Sequence, residues 1–302
     1  MSNPLRLQTF VDLVQEEAAP KRRRSKNSGL PAQVNRPEQI LILDFGSQYT
    51  QVIARRIREC AVFSQILRYD TPALKLAALR PSGLILSGGP ASVYAKNAPQ
   101  PDPEIWKLGV PVLGICYGMQ ALAHQLGGKV ERSEKREYGH AEIELVAESS
   151  LFAQMETRQR VWMSHGDLVT RMPPGFQSLG HTDNSPIAAM GKDNRIFGIQ
   201  FHPEVVHTSL GKNIIQNFLY KVCGCRGNWT PANFVQESIT RIREQVKDGK
   251  VICALSGGVD SSVTATIIHQ AVGDQLTCIF VNNGLLRRDE AERVLNTFRN
   301  NL

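Results

Sequence analysis

The 302-residue sequence contains no apolar run near the ~20 residues that a membrane-spanning helix needs, and its first residues lack the basic-then-apolar order of a secretory signal. A cytoplasmic protein is expected. Cysteine is sparse, with six in all and none of the dense spacing of a disulfide scaffold, so free thiols in a reducing compartment are expected too. Cys223-Gly224-Cys225 is shorter than the usual zinc pair and has no second pair nearby, which argues against metal there. Acids are outnumbered, 28 against 35 Lys and Arg, for a net charge of +7. The excess is local: residues 1–36 hold seven basic residues against three acids, leaving only +3 on the remaining body. The body therefore carries no sign of a nucleic-acid surface. The hydrophobic fraction of 42% excludes wholesale disorder and gives room for one sizeable domain plus part of another.

Residues 1–36 read as a flexible basic extension, in which Leu7, Phe10, Val11 and Val14 have the spacing of a short amphipathic helix. From Gln39 onward the pattern is strand, turn, helix, repeated. Gln39 to Phe45 is a continuous apolar run, Val62 to Leu67 and Gly83 to Ser87 follow, and helices are expected from the turn after Gly46-Ser47 to Glu59 and over 72–79. Apolar strands alternating with helices specify a mainly parallel α/β sheet, in which ligands gather at the strand C-terminal ends. After Gly128 the period shifts toward two, and short, partly antiparallel strands are expected over 141–146, 160–164, 176–181, 186–190 and 195–200. A helix over 210–222 closes the unit, giving a domain over 37–225. A second, smaller α/β unit over 226–302 opens at Thr230-Pro231 and holds strands over 251–255 and 276–281, with a helix over 263–272 between them. With two strands it should be marginal alone.

The chemistry concentrates at Gly114-Ile115-Cys116-Tyr117-Gly118, between a strand and a helix. This is the thiol version of the nucleophile elbow, where glycines permit a tight turn that exposes one side chain at a helix N-terminus and favours its thiolate. A cysteine nucleophile needs a base and the base an orienter. His202 and Glu204 flank Pro203 and project to the same side of an extended backbone; His165 is the nearest rival base. The backbone N–H of Tyr117, and that of Gly88 or Gly89, can serve as oxyanion donors. Ser256-Gly257-Gly258-Val259-Asp260-Ser261-Ser262 lies between strand and helix, where N–H groups can cradle phosphate. It lacks the lysine of an ordinary P-loop, and an Asp within a phosphate cradle points to Mg²⁺ bound at Asp260.

The stretches ILDFGSQYTQ (42–51), LSGGP (86–90), GICYGMQ (114–120), MSHGD (163–167) and GIQFHPEVVHT (198–208) together resemble class I glutamine amidotransferases. With SGGVDSS they resemble the glutamine-hydrolysing GMP synthetase family from about residue 38 to the end. The resemblance implies that Cys116 attacks the glutamine side-chain amide while His202, oriented by Glu204, moves the proton. Gln120 and a loop of Ser164, His165, Gly166 and Asp167 would contact glutamine. Ser256 to Ser262 would hold the pyrophosphate of ATP, with Mg²⁺, while xanthosine monophosphate is adenylated and then aminated to GMP. Asn282 stands where this family usually has Asp. The rest of the pyrophosphatase domain and the C-terminal region through which the family homodimerises are expected to be missing after Leu302, leaving a chain competent as a glutaminase. The alternative is a glutamine-binding or regulatory amidotransferase fragment acting with a partner synthetase subunit.

Overall fold

The computed structural model describes residues 38–282, 284 and 286–301. The basic extension over 1–36 and its amphipathic pattern lie outside the described residues. The chain divides into two compact units between Trp229 and Thr230.

The first unit is built on a nine-stranded sheet. In chain order its elements are β1 (Gln39–Asp44), α1 (Thr50–Glu59), β2 (Phe63–Arg68), α2 (Ala73–Leu79), β3 (Gly83–Leu86), β4 (Val112–Ile115) and α3 (Tyr117–Gln125). There follow β5 (Lys129–Leu145), β6 (Arg158–Arg171), β7 (Gln177–His181), β8 (Ala189–Lys192), β9 (Ile196–Ile199) and α4 (Gly211–Gln216), which runs on into a π-helical turn, Asn217–Val222. The strand order is β2-β1-β3-β4-β9-β8-β7-β5-β6. Pairing is parallel from β2 to β9 and antiparallel from there to β6.

The apolar run of β1 follows from burial on both faces. Ile40 and Ile42 point into one core, shared with Ile53 and Ile57 of α1 and with Phe218 and Leu219. Leu41 and Leu43 point into the other, with Tyr117 and Leu122 of α3. Removing each such side chain from water contributes about 1.5–3 kcal/mol. These two cores hold rigid the sheet whose C-terminal edge carries the candidate site.

The antiparallel part departs from the sequence reading. The expected short strands over 141–146 and 160–164 are the ends of a long ribbon, β5 of 17 residues and β6 of 14. Its first half, with few apolar residues, is held as strand by pairing to β6 rather than by its own pattern. The pairing shifts register between Arg132 and Glu137, so that Ser133 to Arg136 bulge out opposite Gly166. A second correction follows: Ser164 to Asp167 form part of β6 and are not a loop.

In the second unit, α5 (Pro231–Val246) starts as expected, with the Thr230 hydroxyl accepting from the Asn233 N–H at 3.1 Å and Pro231 at the first helical position. It is followed by β10 (Val251–Leu255), α6 (Val259–Val272), β11 (Leu276–Phe280) and α7 (Glu290–Asn301). Strands β10 and β11 pair in parallel, Val251 opposite Leu276. Their core is small: Cys253, Leu255 and Ala265 are buried, while Ile252 and Ile279 are exposed. Helix α6 begins four residues earlier than the pattern suggested, because Gly257, at φ +76°, and the extended Gly258 complete the turn by themselves.

Candidate active site

Strands β4 and β9 are parallel neighbours with Ile115 opposite Ile199. The chain leaves both at the same sheet edge, which is how residues 116 and 202 come together. The Cys116 N–H donates to the Ile199 carbonyl at 2.8 Å, fixing the elbow against β9. Cys116 itself has φ +51° and ψ −107°, a conformation that costs a non-glycine residue about 1–3 kcal/mol. The flanking glycines make it attainable. A Cβ on Gly114 would stand 2.7 Å from the Gly118 backbone, and one on Gly118 would stand 2.3 Å from the Leu86 carbonyl oxygen, so neither position admits a side chain.

His202 is anchored by its own N–H, which donates to the Trp162 carbonyl of β6 at 3.0 Å. Its Nδ1 meets Glu204 Oε1 at 2.7 Å, with both side chains buried. Cys116 is the other group that acts electrostatically on its ring. Burial disfavours the charged ring, yet the influence of Cys116 and the bond and charge of Glu204 outweigh it and push the His202 pKa up to about 10. The second Glu204 oxygen, Oε2, is buried without a hydrogen-bond partner among the described residues, which leaves His202 as that carboxylate's main compensation. Arg56 of α1 donates to the Glu204 backbone carbonyl at 3.0 Å and holds the segment in place. Cys116, His202 and Glu204 thus stand in series, as a nucleophile, a base and its orienter require. The rival His165 does not join them: its Nε2 meets Glu137 Oε2 at 3.1 Å and its Nδ1 the Asp167 carbonyl at 3.0 Å.

Gly88 borders the site, where an added Cβ would meet the His202 ring at 3.1 Å and the Cys116 Cβ at 3.7 Å. Gly89 instead packs on the Phe45 backbone, with 2.6 Å from its would-be Cβ to the Phe45 oxygen. Tyr117 heads α3, where the N–H groups of a first turn have no intrahelical partner. Gln120 is buried, and its amide nitrogen is engaged by the Asp167 carbonyl at 2.9 Å and Gln200 Oε1 at 3.3 Å. Of the MSHGD residues, Ser164 presents its carbonyl to the Cys116 sulfur at 3.6 Å. The Asp167 carboxylate accepts from the Ser92 hydroxyl and from Tyr94 Oη, the latter at 2.8 Å, tying the segment after Gly88-Gly89-Pro90 to β6.

Two neighbours of the reacting groups went unassigned in the sequence reading. Gln200 donates from Nε2 to the Cys116 sulfur at 3.7 Å. Tyr49, inside SQYTQ, sets its ring against His202 at 5.3 Å between centroids. Both belong to the stretches that carry the resemblance, and that was the only available signal.

In the second unit SGGVDSS folds differently from a pure loop. Ser256 to Gly258 form the turn, and Val259 to Ser262 are the first turn of α6. Ser261 and Ser262 donate their hydroxyls to the Gly258 carbonyl at 3.0 and 2.8 Å, and the Ser256 N–H donates to Ser261 Oγ at 3.3 Å. Asp260 lies exposed in that first turn. The described residues hold no cluster of three metal-ligating side chains, so a cation here would rest on Asp260 together with a bound phosphate. With the Ser261 and Ser262 hydroxyls turned to the Gly258 carbonyl, the first-turn N–H groups of α6 and the one exposed carboxylate fit a phosphate carried with a divalent cation.

A strand-to-helix elbow bearing cysteine, completed by a His-x-Glu pair from the next parallel strand, has the arrangement of a cysteine-dependent acyl-transfer enzyme. Residues 41–222 match the family described as glutamine amidotransferase class-I, and the chain belongs to that family. Its relatives there include GMP synthases [glutamine-hydrolyzing], at 59% identity for one from Dehalococcoides mccartyi and 53% for one from Nostoc sp., covering 88% and 86% of this chain. The chain spans about half the length of these relatives, 50% and 48%. A solved structure described as a putative GMP synthase subunit, from Thermoplasma acidophilum, is similar at 26% identity and a TM-score of 0.54, covering 62% of this chain and 94% of that one. Residues 249–296 match the family described as tRNA methyl transferase HUP domain. Among the described residues no helix is long and apolar enough to cross a membrane.

Proposed function

We propose that this chain hydrolyses glutamine and delivers the ammonia to ATP-dependent amination of xanthosine monophosphate, giving GMP. The observation that carries the reading is the series Cys116, His202, Glu204 at the shared edge of β4 and β9. The Cys116 sulfur attacks the side-chain amide carbon of glutamine. As the carbon–nitrogen bond breaks, the His202 imidazolium gives its Nε2 proton to the departing ammonia, and a thioester remains. Water then attacks the thioester carbon, losing a proton to His202, and glutamate leaves as the sulfur regains its electron pair. The Gly88 and Tyr117 N–H groups hold the oxyanion in both steps. Glu204 keeps its charge throughout and keeps His202 Nδ1 protonated.

The synthetase half of the reading is supported by the Gly-rich turn of residues 256–258 leading into the N-terminus of α6 with Asp260 in its first turn, and by the relatives' shared name. ATP phosphates would lie against the N-terminus of α6, and a magnesium ion would be held by Asp260 and those phosphates, where it neutralises their charge. Domain limits of 37–225 and 226–302 belong to this proposal. So does a cytoplasmic location, which the six free cysteines favour. A second reading, a glutaminase component working with a separate synthetase chain, is favoured by the likeness to a structure described as one subunit of such a synthase.

Glutamate release, measured with and without ATP, Mg²⁺ and xanthosine monophosphate, tests both. Release that depends on Cys116 and rises with the nucleotides supports coupled synthesis. Release indifferent to them supports the second reading, and release that persists in Cys116→Ala refutes the assigned nucleophile.

A further inference from the structure

Behind β6 lies a second buried His–Glu pair that the proposed chemistry does not use. Glu137 and His165 are directly opposite each other across the β5–β6 ribbon, at the residue where pairing resumes after the bulge. Both are almost wholly buried, with side-chain exposures of 6% and 2%. Glu137 is saturated with partners: Oε2 receives His165 Nε2 at 3.1 Å and the Ser185 hydroxyl at 2.6 Å, and Oε1 receives the Thr182 hydroxyl at 3.0 Å. Burial alone would neutralise such a carboxyl, but the bonds from His165, Ser185 and Thr182 outweigh it and hold its pKa below the ordinary value. A buried charge with this many donors costs several kcal/mol to desolvate and is a poor way to stabilise a ribbon, since apolar side chains would serve as well.

Its place relative to Cys116 gives it a purpose. The His165 backbone separates the Ser164 carbonyl, which faces the Cys116 sulfur, from Gly166 and Asp167, whose carboxylate clasps Ser92 and Tyr94. The His165 ring closes back on the Asp167 carbonyl, the same carbonyl that receives Gln120. On one side of this short segment stands the nucleophile, and on the other the Glu137 cluster pins it.

We propose that Glu137 is a positioning residue for glutamine: through His165 it fixes residues 164–167 in the strand geometry that sets the Ser164 carbonyl at the Cys116 sulfur and the Asp167 carboxylate on Ser92 and Tyr94, beside the proposed glutamine site. The inference deepens the glutaminase reading and rests on it. Glu137 touches neither substrate nor sulfur, so its removal should loosen substrate binding while leaving the nucleophile intact.

The test uses the full chain. Glu137→Ala is expected to raise KM for glutamine about tenfold or more while kcat stays within about threefold, a tenfold change corresponding to about 1.4 kcal/mol. Alkylation of Cys116 by iodoacetamide, which needs no glutamine site, should keep the wild-type rate. Glu137→Gln, which preserves shape and part of the bonding, should recover most of the KM. An unchanged KM in a folded Glu137→Ala protein overturns the proposal, and so does a fall in kcat and alkylation rate with KM intact. Should Glu137→Ala fail to fold, Glu137→Gln and Ser185→Ala carry the test, each with a KM rise of about threefold expected and an unchanged KM in both overturning it. If the wild-type chain releases no glutamate, the functional reading fails, and hydrogen exchange decides the positioning role separately. Faster exchange confined to peptides over 162–168 in Glu137→Gln supports it, and unchanged exchange there overturns it.

Discussion

Replacing Glu204 by glutamine keeps the volume of the side chain and removes only its charge, which makes it the sharpest probe of the candidate triad. Glu204 Oε1 lies 2.7 Å from His202 Nδ1, and neither side chain is more than 5% exposed. The rise of the His202 pKa from 6.5 to about 10 corresponds to about 5 kcal/mol favouring the imidazolium, at 1.36 kcal/mol per pKa unit. That figure is net of the burial that opposes it, and it is shared between Cys116 and Glu204. Without the Glu204 charge that part of the support is lost and the His202 pKa should fall. The proton transfer that His202 supplies is worth about 10² to 10⁴ in rate, so kcat/KM for glutamine should drop by about 10² or more once its orienting charge is gone. The sign with pH is also fixed. A group whose folded pKa is raised stabilises the fold fully below its unfolded pKa near 6.5, and that contribution is lost as pH rises through about 10. Because the imidazolium that protonates the leaving nitrogen is lost over the same range, the wild-type alkaline limb of glutamate release should lie near pH 10, and in Glu204→Gln it should move toward acid. The assay is glutamate release from pH 5.5 to 10.5, with circular dichroism at each pH to confirm folding. An alkaline limb that stays near pH 10 in a variant whose kcat/KM is within threefold of wild type would refute the argument that Glu204 holds the imidazolium.

Three further tests address the scaffold and the second unit. Gly118→Ala places a methyl group 2.3 Å from the Leu86 carbonyl oxygen, so thermal unfolding should show a loss of about 3 kcal/mol and glutaminase activity should vanish with the elbow. Ile42→Ala in the core of β1 should cost about 2–5 kcal/mol in urea unfolding, whereas Leu74→Ala, at a residue 86% exposed, should stay within about 0.5 kcal/mol. Gly257→Val forces a β-branched side chain to φ +76°, so ATP binding with Mg²⁺, followed by calorimetry, should be lost while Cys116-dependent glutamate release persists.

The parts of this protein that could be read from the chain are those whose pattern is local. The strand β1 declared itself because burial on both faces demands an unbroken apolar run, and Ile40 to Leu43 supply it. The elbow was legible because Gly114 and Gly118 are there for close backbone approach, a requirement that no other residue type meets. The first half of β5 was not legible. Its sequence from Lys129 to His140 is mostly charged or polar, and only the ladder to β6 makes it a strand. The placement of Ser164 to Asp167 as a loop came with the resemblance rather than from the pattern, and the pairing of these residues with β5 makes them strand.

The candidate site shows the same division. Cys116, His202 and Glu204 were found as two short motifs 86 residues apart, and nothing in periodicity could bring them together. What does so is strand order. Strands β4 and β9 are separated in the chain by the whole ribbon yet are adjacent and parallel in the sheet, so their C-terminal ends share one edge. Local pattern reports which face of a strand is buried; it carries no information about which strand lies next to it. The same blindness left Glu137 unremarked, since its partner His165 is 28 residues away and its neighbours Arg136 and Tyr138 are exposed. Side chains that act through a long-range register are therefore the ones a sequence reading loses, and in this fold they stand directly behind the groups that it finds.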